Sequence, residues 1–207
     1  MLTVALPKGR IAEETLEIFA SIFGEEFKFD DRKLILETPN FKFLLVRNQD
    51  VATYVYHQAA DIGVVGLDTL EEQGLDVIRL LDLKRGICKV AIGMRKGEKL
   101  DLSKPELKVA TKMVNITKKY FAERAVAADI IKLYGSIELA PLVGLADMIV
   151  DIVETGTTMK QNGLEVVEEI MTSSTYLIAN KNSYFEKKSE VLDIFEKISA
   201  VIEQDTK

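Results

Sequence analysis

An apolar run from Met148 to Val153, broken only by Asp151, continues through Glu154 into Thr155-Gly156-Thr157-Thr158. Its length and boundaries read as a buried strand, and Thr157 to Asn162 as a short helix, so the chain passes from strand to helix within a few residues. Such junctions are the building units of α/β folds. They also carry chemistry, because the unpaired amide N–H groups and the positive end of the helix dipole favour a phosphate. Gly156 permits a positive φ or close approach of a ligand. Thr155, Thr157 and Thr158 offer hydroxyl donors, while Asp151 and Glu154 can accept hydrogen bonds from sugar hydroxyls. Taken alone, a Thr-Gly-Thr-Thr turn is also an ordinary helix cap.

The rest of the chain supports the same class. Leu2 to Leu6 reads as a strand, Pro7 to Arg10 as a loop, and Ile11 to Phe23 as a helix with Ala12, Leu16, Phe19 and Phe23 on one face and Gly24 as its stop. Leu34 to Glu37 and Phe41 to Val46 flank Thr38-Pro39-Asn40 as a hairpin. Val51 to Ala59 follows as a helix, Ile62 to Val65 and Val77 to Leu81 as strands, and Asp82 to Gly86 as a charged turn. Strand and helix signals alternate again from Leu107 to Val153, Ser173 to Ala179 is β-rich, and Tyr184 to Glu203 predicts one long helix with Val191, Phe195, Ile198 and Ile202 on its apolar stripe. Ala60-Asp61 and Ala146-Asp147 each precede an apolar strand, a short internal echo.

Composition narrows the function. A content of 47% hydrophobic and 29% charged residues suits a chain with a substantial core. The start lacks the layout of a secretion signal, no apolar run is long enough to span a bilayer, and a cytosolic location is expected. Net charge of −6 argues against nucleic-acid binding, so cations for an anionic substrate have to be gathered locally. One cysteine, Cys88, excludes an intrachain disulfide and reads as a core filler. One histidine, His57, cannot build a multi-histidine metal site and reads as a helix surface residue.

The stretch from Glu138 through Gly144, Asp151 and Thr155-Gly156 to Thr158-Met159 resembles the signature of the ATP phosphoribosyltransferases. Leu6-Pro7-Lys8-Gly9-Arg10, Asp61-Ile62-Gly63-Val64-Val65-Gly66-Leu67-Asp68 and Ala110-Thr111 with Asn115 to Phe121 agree with it in consistent order. The resemblance implies a two-lobed α/β fold like the type II periplasmic binding proteins. Residues 1–86 with 178–207 would form the lobe for nucleotide and pyrophosphate, and residues 87–177 the phosphoribosyl lobe. The crossings near 84–86 and 178–181 would act as a hinge, with the substrates held between. It implies transfer of the 5-phosphoribosyl group from phosphoribosyl pyrophosphate to N1 of ATP, the first step of histidine biosynthesis, with Mg²⁺ arriving chelated by substrate and no direct protein ligand to it. The length is similar to the short form of the family. That form works with a regulatory subunit related to histidyl-tRNA synthetase, in a hetero-oligomer on a homodimeric core. The alternative is a non-catalytic two-lobed ligand-binding or regulatory protein.

Within that resemblance, Lys8, Gly9 and Arg10 follow the first strand at the edge where α/β sheets bind ligands, and are candidates for ATP or pyrophosphate. Arg32 and Arg47 would meet at one end of the hairpin and stabilise the leaving group, unless they pair with Asp30, Asp31 or Asp50. Asp68 either caps the next helix or contacts nucleotide. Glu138 either orders Mg²⁺-bound water or a ribose hydroxyl, or belongs to a helix first turn.

Overall fold

Alternating apolar residues place each central strand between two packed layers. Along β1 (Leu2–Pro7), Leu2, Val4 and Leu6 enter one core and Ala5 the other. The computed structural model describes residues 1–30 and 32–205, so Asp31 lies outside the described residues. After β1 come α1 (Arg10–Phe23), β2 (Ile35–Glu37), β3 (Phe41–Val46), α2 (Val51–Tyr56), β4 (Ile62–Gly66), α3 (Leu67–Gln73) and β5 (Ile78–Asp82). Next are β6 (Cys88–Arg95), β7 (Leu107–Thr111), α4 (Val114–Glu123), β8 (Ala128–Lys132), α5 (Leu139–Leu142), β9 (Met148–Val153), α6 (Thr157–Gln161) and β10 (Leu164–Ser173). The chain ends with β11 (Thr175–Ala179), α7 (Lys181–Glu186) and α8 (Lys188–Asp205). Among the described residues no helix is long and apolar enough to cross a membrane.

The chain divides into unit 1, Met1–Leu70, Gly74–Gly86 and Ser174–Lys207, and unit 2, Glu71–Gln73 and Ile87–Ser173. The return to unit 1 falls at Ser174 rather than at 178, because β11 lies between β4 and β5 in the first sheet. That sheet has the order β2-β3-β1-β4-β11-β5, with β1 parallel to β3 and β4, and β11 antiparallel to both of its neighbours. The second has the order β10-β6-β9-β7-β8, with β7 parallel to β8 and β9, and β6 antiparallel to β9. Each unit therefore contains three adjacent parallel strands followed by one antiparallel strand.

In unit 1, Phe19 of α1 stands edge-on to Phe27, Phe41 and Phe43 at centroid distances of 6.3, 5.3 and 5.3 Å. This aromatic cluster seats α1 on β3 and β1, which fixes the loop between Pro7 and α1. Gly24 ends the helix in the left-handed conformation, φ 66°, with its N–H donating to Ala20 O.

Three expectations need correction. α2 stops at Tyr56 and not Ala59, because Asn180 Nδ2 donates to Val55 O and Tyr56 O at 2.9 and 3.0 Å and occupies the carbonyls of its last turn. His57 therefore lies just past the helix, exposed and edge-on to Tyr56. The C-terminal helix is two helices broken at Lys187, whose Nζ reaches Asp61 Oδ2 at 2.7 Å. The buried stripe of α8 is Val191, Ile194, Ile198 and Ile202, with Phe195 only partly buried. β10 has no counterpart in the sequence reading. Two register irregularities along its pairing with β6 break the alternation by which a strand is recognised.

Candidate active site

Parallel strands leave their carboxyl ends at one edge, and helices that start there present N–H groups to it. In unit 2 that edge collects the residues after β7, β8 and β9. Ile149 and Val153 of β9 pack in one cluster with Met159 of α6, so Asp151, between them in the pleat, lies on the same face as α6. Gly93 of β6 makes room for this: a Cβ there would stand 2.8 Å from Met159 Sδ and 3.1 Å from Ile149 Cγ1. Met159, buried, thereby pins the turn that precedes it.

The turn itself is open. Gly156 takes φ 75°, a conformation that L side chains avoid, and serves as the N-cap of α6. Thr155 Oγ1 and Thr157 Oγ1 are 2.9 Å apart, and the Thr157 N–H donates to Thr155 Oγ1 at 3.4 Å. Residues 152–159 line a cavity of about 290 Å³, with Glu154, Thr155, Thr157 and Thr158 exposed on it. This is a small hollow with three hydroxyls at the start of a helix, suited to a phosphate monoester. Asp151 stands one strand position behind it. Its Oδ1 accepts the Ile152 N–H at 2.8 Å and lies 3.1 Å from Lys112 Nζ. Lys112 was not singled out from sequence. Its signal was its place one residue beyond β7, the same kind of strand-end position that drew attention to Lys8. Thr111 shapes that end: its hydroxyl donates to Val150 O at 2.7 Å and accepts the Met113 N–H at 2.8 Å.

Glu138 follows β8 and occupies the N-cap position of α5 with helical φ and ψ and no side-chain capping bond. The alternative of a helix-end position thus describes where it sits, and its carboxylate has no partner among the described residues.

In unit 1 the equivalent edge is basic. The register Leu6↔Leu45, Pro7↔Val46 sends Lys8 and Arg47 out side by side, and the Lys8 N–H donates to Val46 O at 2.8 Å. Across the hairpin, Ile35↔Leu44 with Leu45 N–H to Leu34 O puts Arg32 at the same end as Arg47. Lys8, Arg32 and Arg47 are exposed, and none forms an ion pair among the described residues, Asp30 being engaged by Lys33. Arg32 has φ 63°, a left-handed conformation that costs a non-glycine residue of the order of 1 kcal/mol. Gly9, φ 105°, caps α1, and Arg10 Nε lies 3.6 Å from Glu14 Oε1 one turn on. Asp68 is buried in the first turn of α3, whose N-cap is Gly66, and its Oδ2 is 3.5 Å from Thr69 Oγ1; it is a helix-start residue but not the cap. A second cavity of about 500 Å³ opens beside Gly9. Its apolar lining, Leu16, Phe27, Phe29 and Leu45, and the exposed Glu13 and Glu17 suit an apolar or cationic group rather than a phosphate.

Comparison with known proteins identifies the family and the fold. The profile of the family HisG, ATP phosphoribosyltransferase, matches residues 47–200. An ATP phosphoribosyltransferase of Sulfurimonas denitrificans is 84% identical over 207 residues, covering 100% of this chain and 99% of the relative. One of Campylobacter fetus is 68% identical, covering 98% of this chain and 100% of the relative. A solved chain from the ATP phosphoribosyl transferase (HisG:HisZ) complex of Thermotoga maritima matches with TM-score 0.86 at 36% identity over 99% of this chain and 100% of that one. The periplasmic aliphatic sulphonate binding protein SsuA of Escherichia coli, at 11% identity and TM-score 0.61 over 97% of this chain and 72% of that one, shares the fold alone. The architecture is that of the type II periplasmic binding proteins, and with the profile and the full-length relatives in agreement the chain belongs to the ATP phosphoribosyltransferase family.

Proposed function

We propose that unit 2 holds the phosphoribosyl group, its phosphate in the Glu154–Thr158 turn and its ribose hydroxyls on Asp151, while unit 1 holds ATP and the departing pyrophosphate through Lys8, Arg10, Arg32 and Arg47. The reaction of the family, the first step of histidine biosynthesis, transfers the 5-phosphoribosyl group of phosphoribosyl pyrophosphate to N1 of ATP. The N1 lone pair forms the new bond to C1 of the ribose as the bond from C1 to the pyrophosphate oxygen breaks, with inversion, and both electrons of that bond leave on pyrophosphate. No proton has to be removed before attack, so the chemistry asks for alignment and for positive charge where the leaving group forms. Lys8, Arg32 and Arg47, which have no ion-pair partner among the described residues, meet the second need at one strand edge. Asp68 and Glu138 are further proposed contacts, to nucleotide and to ribose or ordered water.

Mg²⁺ enters on this reading as a chelate of the substrate phosphates. Glu138 and Asp151 are the carboxylates proposed to order the waters of an ion that keeps part of its hydration shell. The ion would neutralise charge building on pyrophosphate.

The observation that carries the phosphoribosyl assignment is the small hydroxyl-lined cavity beside Asp151 at the carboxyl edge of β9. Incubating the purified chain with phosphoribosyl pyrophosphate, Mg²⁺ and ATP, with and without a HisZ-type subunit, tests the assignment. Mass spectrometry should find ATP with one added phosphoribosyl group, and Thr157→Ala with Thr158→Ala should raise KM for phosphoribosyl pyrophosphate well above its effect on KM for ATP. Equal effects on both substrates would remove the assignment of the turn.

The Thermotoga maritima relative comes from a HisG:HisZ complex. We propose a similar assembly here, a cytosolic hetero-oligomer of this chain, on a homodimeric core, with a histidyl-tRNA-synthetase-like regulatory subunit. Histidine should then inhibit the mixture and leave the isolated chain almost unaffected; strong inhibition of the isolated chain would contradict it.

A further inference from the structure

We propose that Lys112 is a positioning residue for the ribose subsite, holding the Asp151 carboxylate so that one oxygen is anchored and the other is presented to substrate. The proposal rests on the assignment of Asp151 to ribose made above. Asp151 Oδ1 has two partners, the Ile152 N–H at 2.8 Å and the Lys112 ammonium at 3.1 Å, while Oδ2 receives no hydrogen bond among the described residues. The side chain of Asp151 is 16% exposed and that of Lys112 is 40% exposed. A carboxylate withdrawn this far from water needs a partner to stay charged in a fixed orientation, and an ammonium that remains half in water can provide it at small desolvation cost. With Oδ1 held from two directions, rotation of the carboxylate is restricted and Oδ2 is the atom left to accept a hydroxyl proton.

The fold does not demand this pair. In unit 1, Asp61 exchanges hydrogen bonds with the backbone of Thr3: its N–H donates to Thr3 O and its Oδ2 accepts the Thr3 N–H, both at 2.8 Å. In unit 2, Asp147 makes the same two bonds to Lys108, both at 2.8 Å. Counting along each strand from these tied residues, Pro7 and Val65 take the places of Lys112 and Asp151. The same two strand positions thus carry two apolar residues in unit 1 and an ion pair in unit 2, which points to a task for the ion pair other than holding the strands together.

The test is a double-mutant cycle read by substrate. Lys112→Met should raise KM for phosphoribosyl pyrophosphate by about tenfold, as expected for loss of a charge-assisted contact, with KM for ATP and the melting temperature unchanged. Lys112→Arg, which keeps the charge, should recover most of the loss. In an Asp151→Asn background, Lys112→Met should add little, because its action runs through that carboxylate. Lys112→Met raising KM equally in both backgrounds would overturn the proposal by showing that the ammonium touches substrate directly. So would an unchanged KM for Lys112→Met alongside a raised KM for Asp151→Asn, which leaves the ribose assignment standing. If Asp151→Asn itself leaves KM unchanged, the ribose assignment fails and the proposal falls with it.

Discussion

Unit 1 and unit 2 share one strand framework and differ in what they place at its carboxyl edge. Both have three adjacent parallel strands, and both tie the second to the first through an aspartate that pairs with the neighbouring backbone, Asp61 with Thr3 and Asp147 with Lys108. At the edge, unit 1 presents Lys8, Arg32 and Arg47, while unit 2 presents Asp151, Glu154 and three threonines. The scaffold is therefore neutral toward ligand chemistry. One edge suits a polyphosphate, which wants cations, and the other a sugar phosphate, which wants hydroxyls and amides for its phosphate and carboxylates for its diol.

The largest expected effect lies at the basic edge. Arg47→Ala should lower turnover more than tenfold, and up to about a hundredfold if the guanidinium faces the leaving group in the transition state. Arg32 allows a sharper test because its φ of 63° is strained. Arg32→Gly removes the strain together with the charge, so stability should hold or rise by up to ~1 kcal/mol while turnover falls by a similar factor. Steady-state kinetics and a denaturant titration on the same variant separate the two effects. Turnover unchanged in both variants would leave the edge basic but without a role in the reaction.

The two tied aspartates should differ in weight. Asp61 is buried and also holds Lys187 at 2.7 Å, whereas Asp147 is more exposed and Lys104 stands 3.8 Å away. Asp61→Ala should cost about 2 kcal/mol and Asp147→Ala under ~1 kcal/mol, since the first strands a part-buried backbone donor and a part-buried ammonium and the second only an exposed donor. The ionisation of Asp61 makes the same point. Burial acts to raise its pKa, but the hydrogen bonds from Lys187 and the Thr3 N–H, with the Lys187 charge, outweigh it and hold the carboxyl below the ordinary 3.8. A carboxyl with a depressed folded pKa contributes stability that is complete above 3.8 and is lost as pH falls through the folded value. Acid unfolding of the Asp61→Asn variant should accordingly be less steep below pH 3.8 than that of the unmodified chain. Equal costs for the two alanine variants would mean that the ties are equivalent and that Lys187 adds nothing.

Gly93 offers a smaller perturbation of unit 2 alone. Gly93→Ala places a methyl 2.8 Å from Met159 Sδ, and since the thioether can partly yield, a cost of about 1–2 kcal/mol is expected. Met159 seats the turn, so KM for phosphoribosyl pyrophosphate should rise with KM for ATP unchanged. A shift in the ATP value instead would detach the turn from the ribosyl assignment.

Much of this was legible from sequence where the signal is local. The apolar spacing of α1, its Gly24 stop, the β2–β3 hairpin and the strand-turn-helix at β9 each depend on neighbours a few residues away, and each was found. The Ala-Asp echo was visible too, although its meaning, two equivalent backbone ties, needs the register. What escaped depends on distant residues. At the break, Lys187 pairs its ammonium with Asp61, far away in sequence, and the Lys112–Asp151 pair joins two strands that are also distant in sequence. β10 escaped because its register irregularities scatter Glu165, Glu168 and Glu169 across the alternation.

The smallest effect concerns alkali, and it belongs to unit 2. Tyr120 of α4 has a buried ring and donates its hydroxyl to Glu168 of β10, with the Arg124 guanidinium 3.7 Å from the ring centroid. Burial, then the hydrogen bond to Glu168 and its negative charge, push the phenol up to about 12, with Arg124 opposing. A phenol whose folded pKa is raised holds its proton more tightly when folded, so its contribution is complete below the ordinary value of 10.0 and disappears as pH rises toward 12. Absorbance at the phenolate band should show one of the six tyrosines titrating late, and Tyr120→Phe should remove that step. Its stability cost near neutral pH should be about 1 kcal/mol, the worth of one hydrogen bond, because Arg124 remains to pair with Glu168. If all six tyrosines titrate together in the folded chain, the Tyr120–Glu168 contact does not persist in solution. The alkaline limit of unit 2 would then have to come from another group, while the acid limit set by Asp61 in unit 1 would stand.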